Sequence, residues 1–109
     1  MWRVFQATSG LQPPHPTSFT LSEAAPNPFN PATSIRYEVP RPTHVTLSVF
    51  NVLGQEVVQL VDGIRSAGRY AVTWDGTDGQ GTTVASGIYL YRITTAEGST
   101  DSRRMVLLK

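Results

Sequence analysis

From Phe19 onward, apolar and polar residues alternate with a period of two, and no stretch carries the 3.6-residue period of an amphipathic helix. Phe19-Thr20-Leu21-Ser22 begins the pattern. After the turn cluster Pro26-Asn27-Pro28-Phe29-Asn30-Pro31, the run Ser34–Val39 places Ile35, Tyr37 and Val39 on one face, and Pro40 and Pro42 end it. His44–Phe50 turns Val45, Leu47 and Val49 inward, Asn51-Val52-Leu53-Gly54 makes a turn, and Glu56–Val61 reads as a short strand. Asp62–Gly68 reads as a loop. Arg69–Trp74 aligns Tyr70, Val72 and Trp74, and Ser86–Thr95 and Arg103–Lys109 supply the last two strands. Seven strands at a spacing of roughly 8–16 residues, with turn residues between them, predict an all-β fold: an immunoglobulin-like, seven-stranded antiparallel β-sandwich. The expected core is Leu21, Ile35, Tyr37, Val45, Leu47, Val49, Leu60, Tyr70, Val72, Trp74, Tyr89, Tyr91, Ile93, Met105 and Leu107.

Composition agrees with the pattern. Only one lysine and four glutamates occur in 109 residues, so strong helix formers are scarce. Residues 1–17 differ from the rest: Pro13, Pro14 and Pro16 favour polyproline II and exclude a sheet interior. They read as a linker or the tail of a preceding module, with Met1–Gln6 able to add one edge strand, and residues 18–109 form the domain. The first ten residues lack the apolar core of a secretory signal, so export would need a signal upstream in a longer parent.

Charge and residue counts exclude several chemistries. A net charge of +1 without a basic stripe argues against nucleic acid as a partner. No apolar run approaches the ~20 residues of a membrane-spanning helix. The absence of cysteine removes disulfides, thiolate chemistry and Cys-ligated metals. Of the two histidines, His15 lies among prolines and His44 opens a strand, and no G-x-S-x-G elbow is present. Glu23, Glu38, Glu56, Glu97 and the four aspartates fall on outward strand positions or in turns. A non-catalytic domain with no cofactor is therefore expected.

Three features carry candidate chemistry. Asp75 and Asp78, within the glycine-rich Asp75–Gly81 stretch, are weak candidates for Ca²⁺, but Asp-Gly pairs are also what tight turns require. Trp74 and the tyrosines suggest a sugar-stacking platform, although Trp74 alternates in phase with Val72, which predicts core. Arg103 and Arg104 form a basic pair in the last strand, where Arg104, Val106 and Leu108 make an outward face unusually apolar for solvent. With Arg103 and Lys109 these are the expected recognition or docking residues, open to strand addition.

Four stretches resemble the type A C-terminal sorting domain of the type IX secretion system, which is itself similar to the immunoglobulin-like part of flagellar hook-capping proteins. They are Pro26-Asn27-Pro28-Phe29-Asn30-Pro31-Ala32-Thr33-Ser34-Ile35; Val49-Phe50-Asn51-Val52-Leu53-Gly54-Gln55-Glu56-Val57; Ala67-Gly68 with Val72-Thr73-Trp74-Asp75-Gly76-Thr77-Asp78; and Ala85-Ser86-Gly87-Ile88-Tyr89-Leu90-Tyr91-Arg92-Ile93, closed by Arg104–Lys109. Phe50 stands where tyrosine is common, and Arg103-Arg104 where lysine is common. The resemblance implies a signal for outer-membrane translocation and cell-surface attachment of upstream cargo domains. Its implied partners are the outer-membrane secretion machinery and its processing and attachment enzyme, with a periplasmic stage before the cell surface or secretion. A spacer or interaction module and a carbohydrate-binding module are the alternative readings. Within the motifs, Asn27, Pro28, Phe29, Asn30 and Pro31 are expected to build a rigid corner whose Asn side chains cap turn amides and whose Phe29 acts as a plug. Gly54, Trp74, Asp75, Gly76, Gly87, Tyr89 and Tyr91 are expected to be structural, Tyr89 in the manner of a tyrosine corner.

Overall fold

The computed structural model describes residues 18–108. The linker over residues 1–17, its Met1–Gln6 strand and Lys109 lie outside the described residues. Seven strands follow in order: β1 (Thr20–Leu21), β2 (Thr33–Val39), β3 (Thr43–Phe50), β4 (Glu56–Arg65), β5 (Gly68–Trp74), β6 (Gly87–Thr95) and β7 (Thr100–Leu107). All named strand pairs are antiparallel, in one sheet of order β1-β2-β5 and a second of order β4-β3-β6-β7. The described residues contain no helix. This is the immunoglobulin-like sandwich that the alternation predicts.

Alternation explains why each strand has one dry face. Ile35, Tyr37 and Val39 of β2, Val45, Leu47 and Val49 of β3, Tyr89, Tyr91 and Ile93 of β6, and Met105 and Leu107 of β7 share a single core with Leu21, Phe29 and Trp74. Each large side chain so buried contributes about 1.5–3 kcal/mol. The two buried tyrosines of β6 keep their hydroxyls satisfied: Tyr91 donates to the Ser22 carbonyl at 2.7 Å, and Tyr89 to the Ala85 carbonyl at 2.6 Å. Burial raises the pKa of both phenols, and of Tyr37, above the usual tyrosine value.

Two parts of the sequence reading need correction. The expected loop Asp62–Gly68 is mostly strand, because β4 continues through Arg65 in register with β3, His44 opposite Ile64 and Val45 opposite Gly63. Only Ser66 and Ala67 separate it from β5. Asp62-Gly63 reads as a turn locally, but cross-strand pairing overrides that preference. The buried residue of β4 is Val61 and not Leu60. The register slips between Leu47, opposite Val61, and Ser48, opposite Gln59, which leaves Leu60 as the extra residue of a bulge and only partly buried. Tyr70 and Val72 also stay half-buried, since β5 is an edge strand covered on one side only.

Candidate functional site

The motif residues that lie far apart in sequence meet at one end of the sandwich. Trp74, the last residue of β5, is 1% exposed. Its ring packs between Phe29 of the proline corner (centroids 5.4 Å apart) and Tyr89 of β6 (5.2 Å). Its Nε1–H donates to the Thr77 carbonyl at 2.8 Å. Gly76 follows with φ of +79°, a left-handed conformation that favours glycine; a Cβ there would only touch Leu107 and the Pro31 carbonyl at an ordinary 3.5 Å, so the backbone and not the space calls for glycine. At the β3–β4 turn, Gly54 has φ of +81° while the Asn51 side-chain carbonyl accepts the Leu53 and Gln55 amides. Phe29 is buried at this end of the core, and Tyr89 donates its hydroxyl to the Ala85 carbonyl four residues upstream.

The proline corner does something that its local sequence does not disclose. Asn27 does not cap a turn amide: its Oδ1 accepts the Val106 N–H at 2.9 Å, across to the last strand. Phe29 donates its N–H to the Val106 carbonyl (2.9 Å) and accepts the Leu108 N–H (3.0 Å). The peptide bonds before Pro26, Pro28 and Pro31 are cis, and Asn30 is exposed. The corner thus clamps the edge of β7 over residues 106–108.

The expected docking residues divide into two groups. Arg104 and Leu108 are exposed and Val106 half-buried on the outer face of β7. Ile88 (46% exposed) and Leu90 (36%) on β6 stand beside them, paired with Val106 and Arg104. Arg103 lies on the opposite side. Its Nε donates to the Leu21 carbonyl at 2.8 Å and its Nη1 is 3.9 Å from Glu23, so it ties the two sheets together. Arg103 and Arg104 are neighbours in sequence but not one patch, because successive residues of a strand face opposite ways. Sequence reasoning missed Ile88 and Leu90; the signal was present, as both are apolar where the alternation calls for polar residues.

The other candidates resolve into structure. Asp75 Oδ1 accepts the Thr77 N–H and Oγ1–H (3.2 and 2.6 Å), and Asp78 Oδ1 accepts the Gln80 and Thr82 amides (2.9 and 3.0 Å). These are Asx-type turn bonds. No group of three or more His, Asp or Glu side chains with metal-binding geometry occurs among the described residues. His44 Nε2 lies 2.7 Å from Asp62 Oδ1 on the surface, and Glu38 and Glu97 pair with Arg69 and Arg41. The sugar platform loses its members: Trp74, Tyr37, Tyr89 and Tyr91 are buried, Tyr70 stacks on Tyr37, and Arg92 covers the Phe50 ring at 4.6 Å.

The model of the FlgD Ig-like domain family matches residues 29–99, well over half of the sequence. The chain belongs to the FlgD Ig-like domain family. The matched span includes Phe29, Trp74, Gly76 and Tyr89, the residues that build the aromatic end of the sandwich. No curated protein matches this FlgD Ig-like domain. Among solved structures, dimeric latent PorU from Porphyromonas gingivalis is similar, with a TM-score of 0.67 at 20% identity over 95% of this chain and 10% of that chain. FlgD from P. aeruginosa is similar with a TM-score of 0.54 at 24% identity over 70% of this chain and 60% of that chain. At such identities the likeness is one of fold alone.

Proposed function

We propose that this FlgD Ig-like domain is a non-catalytic sorting domain of the type A class, a folded signal that takes upstream cargo across the outer membrane through the type IX machinery to surface attachment. One observation carries the reading. The first of the four motif stretches is hydrogen-bonded to the last strand through Asn27 and Phe29, about as far apart in sequence as the domain allows. Entry corner and final strand form one rigid unit, with Arg104, Val106 and Leu108 turned outward for a receptor to read. The likeness to PorU, in which the matched region is a tenth of the chain, suits a module carried by a larger protein. In this reading the domain passes through the periplasm and ends at the cell surface or outside it. Its partners are the secretion machinery and its processing and attachment enzyme, with no cofactor, no nucleic acid and no membrane-spanning helix of its own.

Fusing residues 19–109 to a periplasmic reporter is expected to bring the reporter to the surface of a host that has the type IX machinery. Deleting residues 103–109 should strand it in the periplasm. Arg104→Glu should lower export while leaving the melting temperature nearly unchanged, because an exposed charge governs recognition more than stability. An intact fusion that stays periplasmic, with a domain folded by circular dichroism, refutes the sorting role. Family membership then favours the second reading, a structural or interaction module.

The absence of a cofactor is tested separately. With Asp75 and Asp78 already engaged by turn amides, Ca²⁺ and chelator are expected to give the same melting temperature. A rise with Ca²⁺ would mean binding to the native state.

A further inference from the structure

The outer edge of β7 is a row of hydrogen-bonding positions that the described residues fill only in part. β7 is an edge strand, with β6 on its inner side. The contacts of Val106 and Leu108 with the proline corner show which residues turn their backbone groups outward: the even-numbered ones, since strand groups alternate. Phe29 fills the position opposite Leu107, in a parallel bridge. The position before it, opposite Met105, is filled by an imitation peptide. There the Asn27 side-chain amide accepts from Val106 through Oδ1 and directs Nδ2 at the Arg104 carbonyl, 3.5 Å away. The next position, opposite Arg103, would be served by the Ser102 carbonyl and the Arg104 N–H, and no described residue meets either group. Beyond it, the Ser102 N–H is closed off by the Asp101 carboxylate at 2.8 Å. A groove of about 710 Å³ opens at this place, with Glu23, Asn27, Ser102 and Arg104 on its walls and Ile88 and Leu90 at its outer side.

We propose that the edge of β7 opposite Arg103 receives an extended segment of a partner protein as a parallel strand, with acidic side chains lying against Arg104. Parallel direction follows from the residues already in the row, because a newcomer continues the ladder that Phe29 and Asn27 began. Its central residue donates its N–H to the Ser102 carbonyl and accepts from the Arg104 N–H. The flanking side chains fall on the outer face beside Ser102 and Arg104, because paired residues share a face and neighbours alternate. On that face the outward residues of β6 and β7 include two cations, Arg92 and Arg104; of the carboxylates nearby, Glu23 lies 3.9 Å from Arg103 and Asp101 accepts the Ser102 N–H. Arg104 makes no ion pair among the described residues, whereas Arg103 is held by Leu21 and Glu23. A carboxylate of the partner therefore meets an uncommitted guanidinium, and Asn27 stops the added strand from running further toward the end of β7.

The inference rests on this edge and not on the export reading. The probe is the pentapeptide acetyl-Thr-Glu-Val-Glu-Thr-amide, titrated into the isotope-labelled 109-residue chain and followed by NMR. The largest shifts are expected at the Arg104 backbone amide, the Ser102 amide and the Asn27 side-chain amide. Replacing both Glu with Lys, or N-methylating the central Val, should weaken binding at least about tenfold. Arg104→Pro, which removes the N–H at an edge position where proline is tolerated, should abolish it. Arg104→Glu should reverse the preference in favour of the Lys peptide. No shift of these amides at about 10 mM peptide, equal binding of the N-methyl peptide, or shifts centred elsewhere would overturn the proposal. Peptide binding with failed export leaves the proposal standing and removes only the sorting role; export without peptide binding does the reverse.

Discussion

Trp74→Ala is expected to destabilise the domain by roughly 3–5 kcal/mol. The indole is 1% exposed and packs on Phe29 and Tyr89 with tilted and edge-on ring geometry, at 57° and 68° between planes. Such aromatic pairs add about 0.5–1.5 kcal/mol beyond the area they bury. The cavity would be slow to collapse. Phe29 is pinned to β7 by two backbone hydrogen bonds, and Tyr89 is tied at its hydroxyl to Ala85, so neither ring is free to move in. The Thr77 carbonyl would also lose its donor. Domains of this kind have only about 5–15 kcal/mol of stability in total, so the variant should sit near its unfolding midpoint in mild urea. Trp74→Phe keeps most of the packing and loses the N–H, for a smaller cost of about 1–2 kcal/mol. Urea unfolding followed by far-ultraviolet circular dichroism checks both. A loss under about 0.5 kcal/mol for the alanine variant would mean that Trp74 does not hold the two sheets and the corner together.

Met105→Asp should unfold the domain at neutral pH. Met105 is fully buried in β7, opposite Tyr89 of β6, and Arg103, two residues along the same face, is committed to the Leu21 carbonyl. An unpaired carboxylate in such a place costs several kcal/mol, and burial would raise its folded pKa above the unfolded value of about 3.9. The sign of the pH dependence follows. Below about pH 4 both states carry the proton and the charge penalty is absent; as pH rises the unfolded chain releases its proton first, and stability falls. The variant should therefore melt closer to the parent at pH 4 than at pH 7. Met105→Leu, which keeps shape and polarity, should lose less than about 1.5 kcal/mol. An equal, small loss at both pH values for the Asp variant would place residue 105 at the surface and overturn the arrangement of β7.

Much of the fold was legible because its cause is local. A strand with one dry face must place apolar residues at every second position, and Ile35-Tyr37-Val39, Val45-Leu47-Val49 and Tyr89-Tyr91-Ile93 do so in plain view. The same logic put Trp74 in the core against its reading as a sugar platform. It also marked the outward side of β7 as too apolar for solvent. The tyrosine of the β6 corner was legible too, since its partner, Ala85, lies four residues away.

What escaped the sequence depends on partners distant along the chain. Whether Asp62-Gly63 turns or continues was settled by β3, which offers paired positions as far as Thr43 opposite Arg65. Leu60 yielded its inward place to Val61 because the bulge arises between two strands and neither strand encodes it alone. Arg103 and Arg104 look like a pair in sequence, yet one bonds to Leu21, 82 residues away, and the other faces outward. Asn27 has the chemistry of a turn cap, but its amide lies along the edge of β7, 79 residues on, where it stands in for a strand residue. Period-two burial needs only the chain's own neighbours, so it is written in the order of residues. The filling of a strand edge needs two segments brought together by the stacking of two sheets, and only the folded chain makes that choice.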